Sequence, residues 1–220
     1  MPPAGNRRGK YLGFVAHEIK NPLATALWSC DLLKRMDTAD RSGPRAEKMV
    51  DASLRALRRM RRLVDDFFTI ERLNEHGYEL HTDTLELRSL VDAAVAALAE
   101  KDSIATQGWT VDVPGEMLVS GDGEMLRRGV RAVLEHMAKG AAGQGRITIV
   151  GHALPSAVEL LVRSSEPPEP LVPPVAEERP SGDPLGTVLG YALAETIFAV
   201  HGGTLQEREG ALVISLPKKK

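Results

Sequence analysis

The stretch FVAHEIKNPL, residues 14–23, decides how this chain is organised. Apolar residues recur around it at steps of three and four, which predicts one buried face of a helix; they are Leu12, Val15, Ile19, Pro22 and Ala26. His17 lies about 200° round the helix from Val15, so we expect an exposed His-Glu pair on the open side. Asn21, four positions further on, shares a face with His17.

A histidine in this setting suits phosphoryl acceptance. The neutral imidazole ring keeps one nitrogen lone pair free as a nucleophile at neutral pH. Glu18 is placed to hold or accept the other ring proton, and Asn21 to orient an attacking group or a water. Pro22 lacks a backbone N–H, so the helix can bend one turn beyond His17. The alternative is a solvated histidine without a role, which a lone His-Glu pair would not exclude.

The complete string resembles the phosphoacceptor box of two-component sensor histidine kinases, F-x-x-H-E-x-x-N-P-L. The resemblance implies that His17 is the phosphoacceptor. It implies that Glu18 is a base or an orienting group and that Asn21 is an orienting group.

Composition narrows the classes of protein that the chain can belong to. Its 220 residues carry a net charge of −2, which gives no overall field for nucleic acid. A single cysteine, Cys30, fits a reducing compartment. No run approaches the roughly 20 apolar residues that span a bilayer. We therefore expect a cytoplasmic protein with no membrane, nucleic-acid or metal site.

A long second helix is expected after a polar turn at residues 37–44, and the two helices form an antiparallel hairpin. The predicted apolar seam of the second helix comprises Val50, Ser53, Leu57, Met60, Val64 and Phe67, widened by Leu54, Leu63 and Ile70. One hairpin buries little, so two copies are expected to form a dimeric four-helix bundle. The arginines between residues 55 and 62 are either a solvated face or a docking surface for an acidic partner.

Gly77 is expected to end the second helix. Beyond it the pattern changes to alternating strands and helices, which predicts an α+β fold. The expected elements include a strand at 78–84, a glycine turn at 143–145 that leads into a hairpin of strands 146–150 and 158–162, a proline-rich segment at 164–184, a helix at 185–200 and a closing hairpin of strands 204–207 and 212–216. The order of elements is similar to the ATP-binding domain of histidine kinases, a Bergerat-type sandwich shared with gyrase and Hsp90. The expected domains are a flexible N-terminus at 1–9, a dimerisation and phosphoacceptor hairpin at 10–76, a degenerate ATPase-like domain at 77–217 and a basic tail at 218–220.

Three parts of the implied nucleotide site depart from the family pattern, and the first two are single residues. An Asn in the pattern N-A-x-K helps to hold Mg²⁺, but here His136 begins the stretch that ends at Lys139. Mg²⁺ prefers oxygen ligands, so imidazole is a poor substitute. The Asp of a D-x-G-x-G motif should accept the adenine amino group, but Ser164 follows the expected strand and the motif's glycines are missing.

The third departure lies in the G-x-G-x-G box. Gly186 and Gly190 keep the outer glycines, whereas Val188 replaces the middle one. The two remaining glycines fit a loop and a helix-packing contact equally well. The three departures together argue against ordinary binding of ATP and Mg²⁺.

Three functional hypotheses follow from the resemblance. The first is a histidine phosphotransferase, whose His17 exchanges a phosphoryl group with an aspartate of a receiver domain that brings its own Mg²⁺, with a response regulator or a hybrid histidine kinase as partner. The second is an autokinase with an atypical nucleotide site, in which Glu18 acts as general base. The third is a non-catalytic regulator that binds a kinase or a receiver.

Overall fold

The computed structural model describes residues 4–75, 78–101, 104, 106–140, 146–165 and 185–219. For residues 4–14, His17, Lys101, Lys139, Gly140 and 185–188 it describes the backbone alone. The described chain forms two compact units, one built on residues 4–68 and the other on residues 69–165 and 187–219. The division falls inside the second long helix, whereas the domain boundary predicted at residue 76 stays a prediction.

The first unit is the predicted helical hairpin. Helix α1 (Ala4–Arg35) and helix α2 (Pro44–Leu73) are joined by a turn that contains a 3₁₀ segment at Asp40–Ser42. The Arg41 guanidinium donates to the backbone carbonyls of Met36 and Lys34, at 3.2 and 3.1 Å, and so caps the last turn of α1. Pro44 opens α2, where its missing N–H has no helical partner to lose.

The ends of both helices differ from the prediction. Helix α1 begins at Ala4, inside the segment that we expected to be loose. Arg7, Arg8 and Lys10 are good helix formers and favour this extension, despite the glycines beside them. Helix α2 ends at Leu73, and the stop predicted at residues 76–77 lies outside the described residues.

The buried seam of α2 follows a strict heptad spacing. Its positions are Ala46, Met49, Ser53, Ala56, Met60, Leu63, Phe67 and Ile70, of which the two methionines are half-buried and the rest buried. Steps of three and four keep these side chains on one side of the helix. The prediction was right for Ser53, Leu63, Phe67 and Ile70.

Val50, Leu54 and Leu57, which the prediction placed in the same seam, are 45%, 42% and 50% exposed in the single chain. They form a second stripe beside the buried seam, together with the apolar residues of α1 that face outward. We call this set the open stripe; it comprises Leu23 and Leu27 on α1 and Val50, Leu54, Leu57 and Phe68 on α2. Trp28 is also exposed, but its spacing places it on the face of Asn21 and not in this stripe. Each helix of the hairpin packs against one other helix. That helix covers the buried seam, and the open stripe stays exposed in the described chain.

The second unit is built on a five-stranded sheet. The strands are β2 (Thr110–Asp112), β4 (Ile147–Ala153), β5 (Ala157–Ser164), β6 (Thr204–Arg208) and β7 (Ala211–Pro217), in the order β2-β4-β5-β7-β6. Only the β2–β4 pair is parallel. The predicted hairpins β4–β5 and β6–β7 are present as antiparallel pairs.

Three helices complete this unit: α3 (Leu87–Lys101), α4 (Gly123–Gly140) and α5 (Leu185–Val200). Their fully buried side chains include Leu98, Leu134 and Phe198, and the buried residues of the sheet include Ile149 and Leu160. The α+β prediction is confirmed. The glycine turn predicted at residues 143–145 and the proline-rich segment after Ser165 lie outside the described residues.

A small second sheet corrects one predicted strand. We expected a strand at residues 78–84, but strand β1 spans Asp83–Glu86 and pairs antiparallel with β3 (Leu118–Gly121). Leu85 lies opposite Val119 in this pair. The partner strand lies more than thirty residues further on, and such pairing overrides a weak local preference.

His201 links the end of α5 to the start of α4. Its Nε2 accepts a hydrogen bond from the backbone N–H of Asp122 at 3.0 Å, and Nδ1 donates to the carbonyl of Ile197 at 2.7 Å. Asp122 in turn caps α4 by accepting from the N–H of Met125 at 3.0 Å. The imidazole lies directly against Gly121.

We expect Gly121→Ala to destabilise this unit by about 1–3 kcal/mol, the usual cost of overpacking. A Cβ at Gly121 would lie 2.5 Å from Cδ2 of His201 and 2.8 Å from Cδ1 of Leu126. The matched control is Gly115→Ala, where a Cβ would meet no atom within 4 Å. Urea unfolding of both variants measures the difference, and equal midpoints would contradict the close packing described here.

Candidate functional site

His17 occupies the middle of α1, on a face defined by its neighbours in the helix. Lys20 and Asn21, three and four positions further on, are both exposed. Residues at these spacings share one side of a helix, so the backbone places position 17 on the open side of the hairpin. This is the face on which the sequence predicted an accessible nucleophile.

Glu18 does not share that exposure. Its side chain is only 2% exposed and lies among the buried positions of α1, which are Val15, Pro22, Ala26 and Ser29. The expectation of an exposed His-Glu pair is therefore wrong for the glutamate. The reason is an ion pair with α2: Nη2 of Arg59 lies 3.6 Å from Oε2 of Glu18.

Pro22 and Asn21 shape the helix just beyond the candidate acceptor. Pro22 lies inside α1 and is buried, and its lack of an N–H leaves the carbonyl of Glu18 without a helical donor. One turn on, the Thr25 hydroxyl donates to the carbonyl of Asn21 at 3.2 Å. Asn21 itself is exposed, which leaves its carboxamide accessible for the predicted orienting role.

The arginines of α2 divide into two groups. Arg55, Arg58 and Arg61 are exposed, whereas Arg59 and Arg62 are half-buried. Arg55 and Arg58 present positive charge on the outside of α2, whereas Arg61 shares the heptad position of Leu54 and Phe68 in the open stripe. Arg59 lies beside the heptad seam and pairs with Glu18 on α1.

His136 is buried in α4, with 6% of its side chain exposed. The preceding residue, Glu135, faces Arg131 one turn earlier, with Oε2 of Glu135 3.9 Å from Nη1 of Arg131. The side chain of Lys139 lies outside the described residues. A buried imidazole thus stands where the family pattern needs an amide oxygen for Mg²⁺.

Ser164 is the last residue of β5 and lies opposite Ile147 in the sheet. After it, the N–H of Ser165 donates to the carbonyl of Arg146 at 2.9 Å, and its hydroxyl accepts from the N–H of Arg146 at 3.0 Å. The carboxylate within β5, Glu159, faces Arg208 on β6 at 3.5 Å. No carboxylate therefore stands at the described end of β5 to accept an adenine amino group.

Gly186 and Gly190 both lie within α5. A Cβ at Gly190 would be 3.9 Å from Cβ of Ala132 on α4, an ordinary van der Waals distance. This contact favours the helix-packing interpretation of Gly190. Gly186 lies among the residues described by backbone alone. Tyr191 follows, and its burial, with Glu195 and Glu207 nearby, raises the pKa of its phenol.

Three residues at the nucleotide-site positions therefore do not match the donor set of a Mg²⁺·ATP site: His136, Ser164 and Val188. His136 lies in α4, Ser164 ends β5 and Val188 lies in α5, and their assignment to a nucleotide site stays a prediction. What sequence reasoning missed was Arg59, because its partner Glu18 lies 41 residues away and on another helix.

The fold and the site together define a class of protein that joins a phosphoacceptor-type hairpin to an ATPase-like α/β sandwich. Residues 7–76 match the model of the HisKA family, the His Kinase A phospho-acceptor domain. The helical hairpin therefore belongs to the His Kinase A phospho-acceptor family, and sensor histidine kinases match the chain beyond it.

Relatives and solved structures match over almost the whole chain. The histidine protein kinase DivJ of Caulobacter vibrioides is 27% identical over 93% of this chain, which spans only 36% of DivJ. The fold is similar to that of the Acinetobacter baumannii histidine kinase AdeS, with a TM-score of 0.66 and 16% identity over 93% of this chain and 98% of AdeS. It is also similar to the histidine kinase ThkA, solved in complex with the response regulator TrrA, with a TM-score of 0.64 and 20% identity over 96% of this chain and 62% of ThkA.

A search of the helices in the described residues found none that is long and apolar enough to cross a membrane.

Proposed function

We propose that the chain acts in a two-component phosphorelay, in which His17 exchanges a phosphoryl group with an aspartate of a response-regulator receiver domain. The observation that carries the proposal is the box FVAHEIKNPL, placed on a helix within the segment that matches the HisKA family. A ring nitrogen of His17 forms the new N–P bond while the acyl-phosphate bond of the aspartate breaks and its carboxylate leaves. Such transfer needs mainly positioning and charge stabilisation.

The working form is a homodimer in this proposal. The open stripe runs along both helices of the hairpin, and each of its residues is at least 42% exposed. A second copy that places its own open stripe against the first would complete a four-helix bundle. Two-fold symmetry brings the same patch of each copy together, so a single stripe is enough.

The exposed arginines of α2 support a receiver as the partner. Arg55 and Arg58 offer positive charge on α2 outside both the buried seam and the open stripe. A receiver that carries a phosphorylated aspartate and its neighbouring carboxylates is acidic there, which favours approach and correct orientation. The solved complex of ThkA with TrrA gives a precedent for a kinase of this fold that binds a response regulator.

Two candidate functions, the phosphotransferase and the autokinase, differ in the donor of the phosphoryl group. The chain's own residues favour the phosphotransferase, because His136, Ser164 and Val188 replace the oxygen ligand, the carboxylate and a glycine of the nucleotide site. The comparisons favour the sensor-kinase alternative, because the relatives reported above carry the names of kinases. The third candidate, a non-catalytic regulator, has only the altered nucleotide positions in its favour.

The test offers the purified protein two phosphoryl donors in turn: γ-labelled Mg²⁺·ATP, and a receiver domain carrying labelled aspartyl phosphate. Label from the receiver but not from ATP would support the phosphotransferase. Label from ATP would overturn it in favour of the kinase. Label from neither donor would leave the regulator.

A further inference from the structure

Glu18 is a buried carboxylate that contributes little to the stability of the hairpin. The neighbouring buried positions on α1 carry valine, proline, alanine and serine, so an apolar residue would suit this seam better than a charge. Replacing a buried ion pair by apolar residues is often neutral or stabilising. Stability of the hairpin therefore does not account for the presence of the Glu18–Arg59 pair.

Arg59 is the residue that makes this burial possible. Its side chain is 34% exposed, and its Nη2 atom is 3.6 Å from Oε2 of Glu18. The adjacent Arg58 is exposed on the outside of α2. A buried carboxylate without a cationic partner would be costly, so the location of the Glu18 carboxylate depends on α2 and not on α1 alone.

We propose that Arg59 is a positioning residue for phosphoryl acceptance at His17, because it fixes the carboxylate of the adjacent Glu18 between α1 and α2. The proposal rests on the proposed function in that it takes His17 to be the acceptor. Glu18 is the next residue in the chain after the proposed acceptor, so the position of its carboxylate sets the charge close to that residue. Any movement of α2 relative to α1 within the hairpin would then change the reactivity of His17.

The test uses potassium phosphoramidate, a small phosphoryl donor that requires neither a nucleotide nor a partner protein. The ring nitrogen of the imidazole forms an N–P bond, the P–N bond of phosphoramidate breaks, and ammonia leaves with the proton that the ring gives up. Mass spectrometry of the peptide containing His17 measures its rate of phosphorylation, and His17→Ala gives the background.

Matched variants separate charge from packing. Arg59→Met and Arg59→Lys keep similar aliphatic stems and differ in charge, and Arg58→Met is the control on the exposed side. We expect Arg59→Met to slow phosphorylation of His17 by roughly tenfold or more, since displacement of a positioning group by about 1 Å can cost that much. Arg59→Lys should retain most of the rate, and Arg58→Met should match the wild type.

A double variant tests whether the arginine acts through Glu18. Glu18→Gln combined with Arg59→Met should be no slower than the slower single variant, because both changes remove the same interaction. The proposal would be overturned if the rate loss of the double variant equalled the product of the two single losses. A wild-type rate in Arg59→Met would overturn it as well. Thermal unfolding of each variant identifies a temperature at which all are folded, and the lysine–methionine comparison is decisive there.

The two proposals fail in different ways. Dependence of the phosphoramidate reaction on Arg59, with no transfer from a receiver or from ATP, would sink the proposed function and leave the positioning role standing. Transfer to His17 from a receiver or from ATP, at a rate that the Arg59 variants do not change, would support the proposed function and overturn the positioning role.

Discussion

Replacing His17 by alanine is expected to remove all phosphoryl acceptance by the protein, whichever donor supplies the group. The physical reason is that no other group of the phosphoacceptor box can act as the nucleophile. Lys20 and Asn21 share the face of His17, but an ammonium ion and an amide have no free nucleophilic lone pair at neutral pH. The measurement is acid-labile label retained after incubation with labelled receiver and with γ-labelled Mg²⁺·ATP.

The control for this variant is another histidine. His152 lies at an exposed position of β4, far along the chain from the phosphoacceptor box. His152→Ala should keep the full wild-type level of label, since His152 belongs to the second unit and not to the phosphoacceptor box. Label that persists in His17→Ala and disappears in His152→Ala would transfer the acceptor role to the second unit and refute the proposed site.

The position of the acceptor could be predicted because it depends on local periodicity. Val15, Pro22 and Ala26 are buried as the three-and-four spacing predicts, and Lys20 and Asn21 are exposed. These features need only the geometry of one helix. The same is true of α5, whose predicted bounds, 185 and 200, are those observed.

Glu18 could not be assigned correctly because its burial depends on a distant residue. A carboxylate beside an exposed histidine is expected in solvent unless a cation is brought to it. The cation, Arg59, belongs to a run of five arginines between residues 55 and 62, and nothing in that run marks which of them turns inward. Only the heptad phase of α2 decides this, and the sequence supported two phases.

Those two phases explain why the predicted α2 seam was too wide for one chain. Leu63, Phe67 and Ile70 are buried in one heptad register, whereas Val50, Leu54 and Leu57 are exposed in another. Merging them into one wide seam hid the fact that the helix has two apolar faces. The distinction matters for function, because the second face is available for another chain.

Leu27→Arg is expected to weaken the proposed homodimer by at least about a hundredfold. Leu27 is 59% exposed in the isolated chain and is the more exposed of the two leucines in the α1 part of the open stripe. The two-fold axis of a dimer would double the change, because each interface would receive two unpaired guanidinium groups in place of two leucines. Burying a charge without a partner costs several kcal/mol, and about 2.7 kcal/mol is already a hundredfold in the dissociation constant.

The control is Leu154→Arg, which exchanges the same residue types at a leucine that is 39% exposed and lies in the turn between β4 and β5. Light scattering over a range of protein concentrations would measure the dissociation constant of each variant. If only Leu27→Arg dissociates and still accepts a phosphoryl group from phosphoramidate, then His17 needs its own hairpin but not the second copy. If Leu27→Arg stays dimeric, the open stripe is not the interface between copies, and the apolar residues on α1 and α2 must serve a different partner.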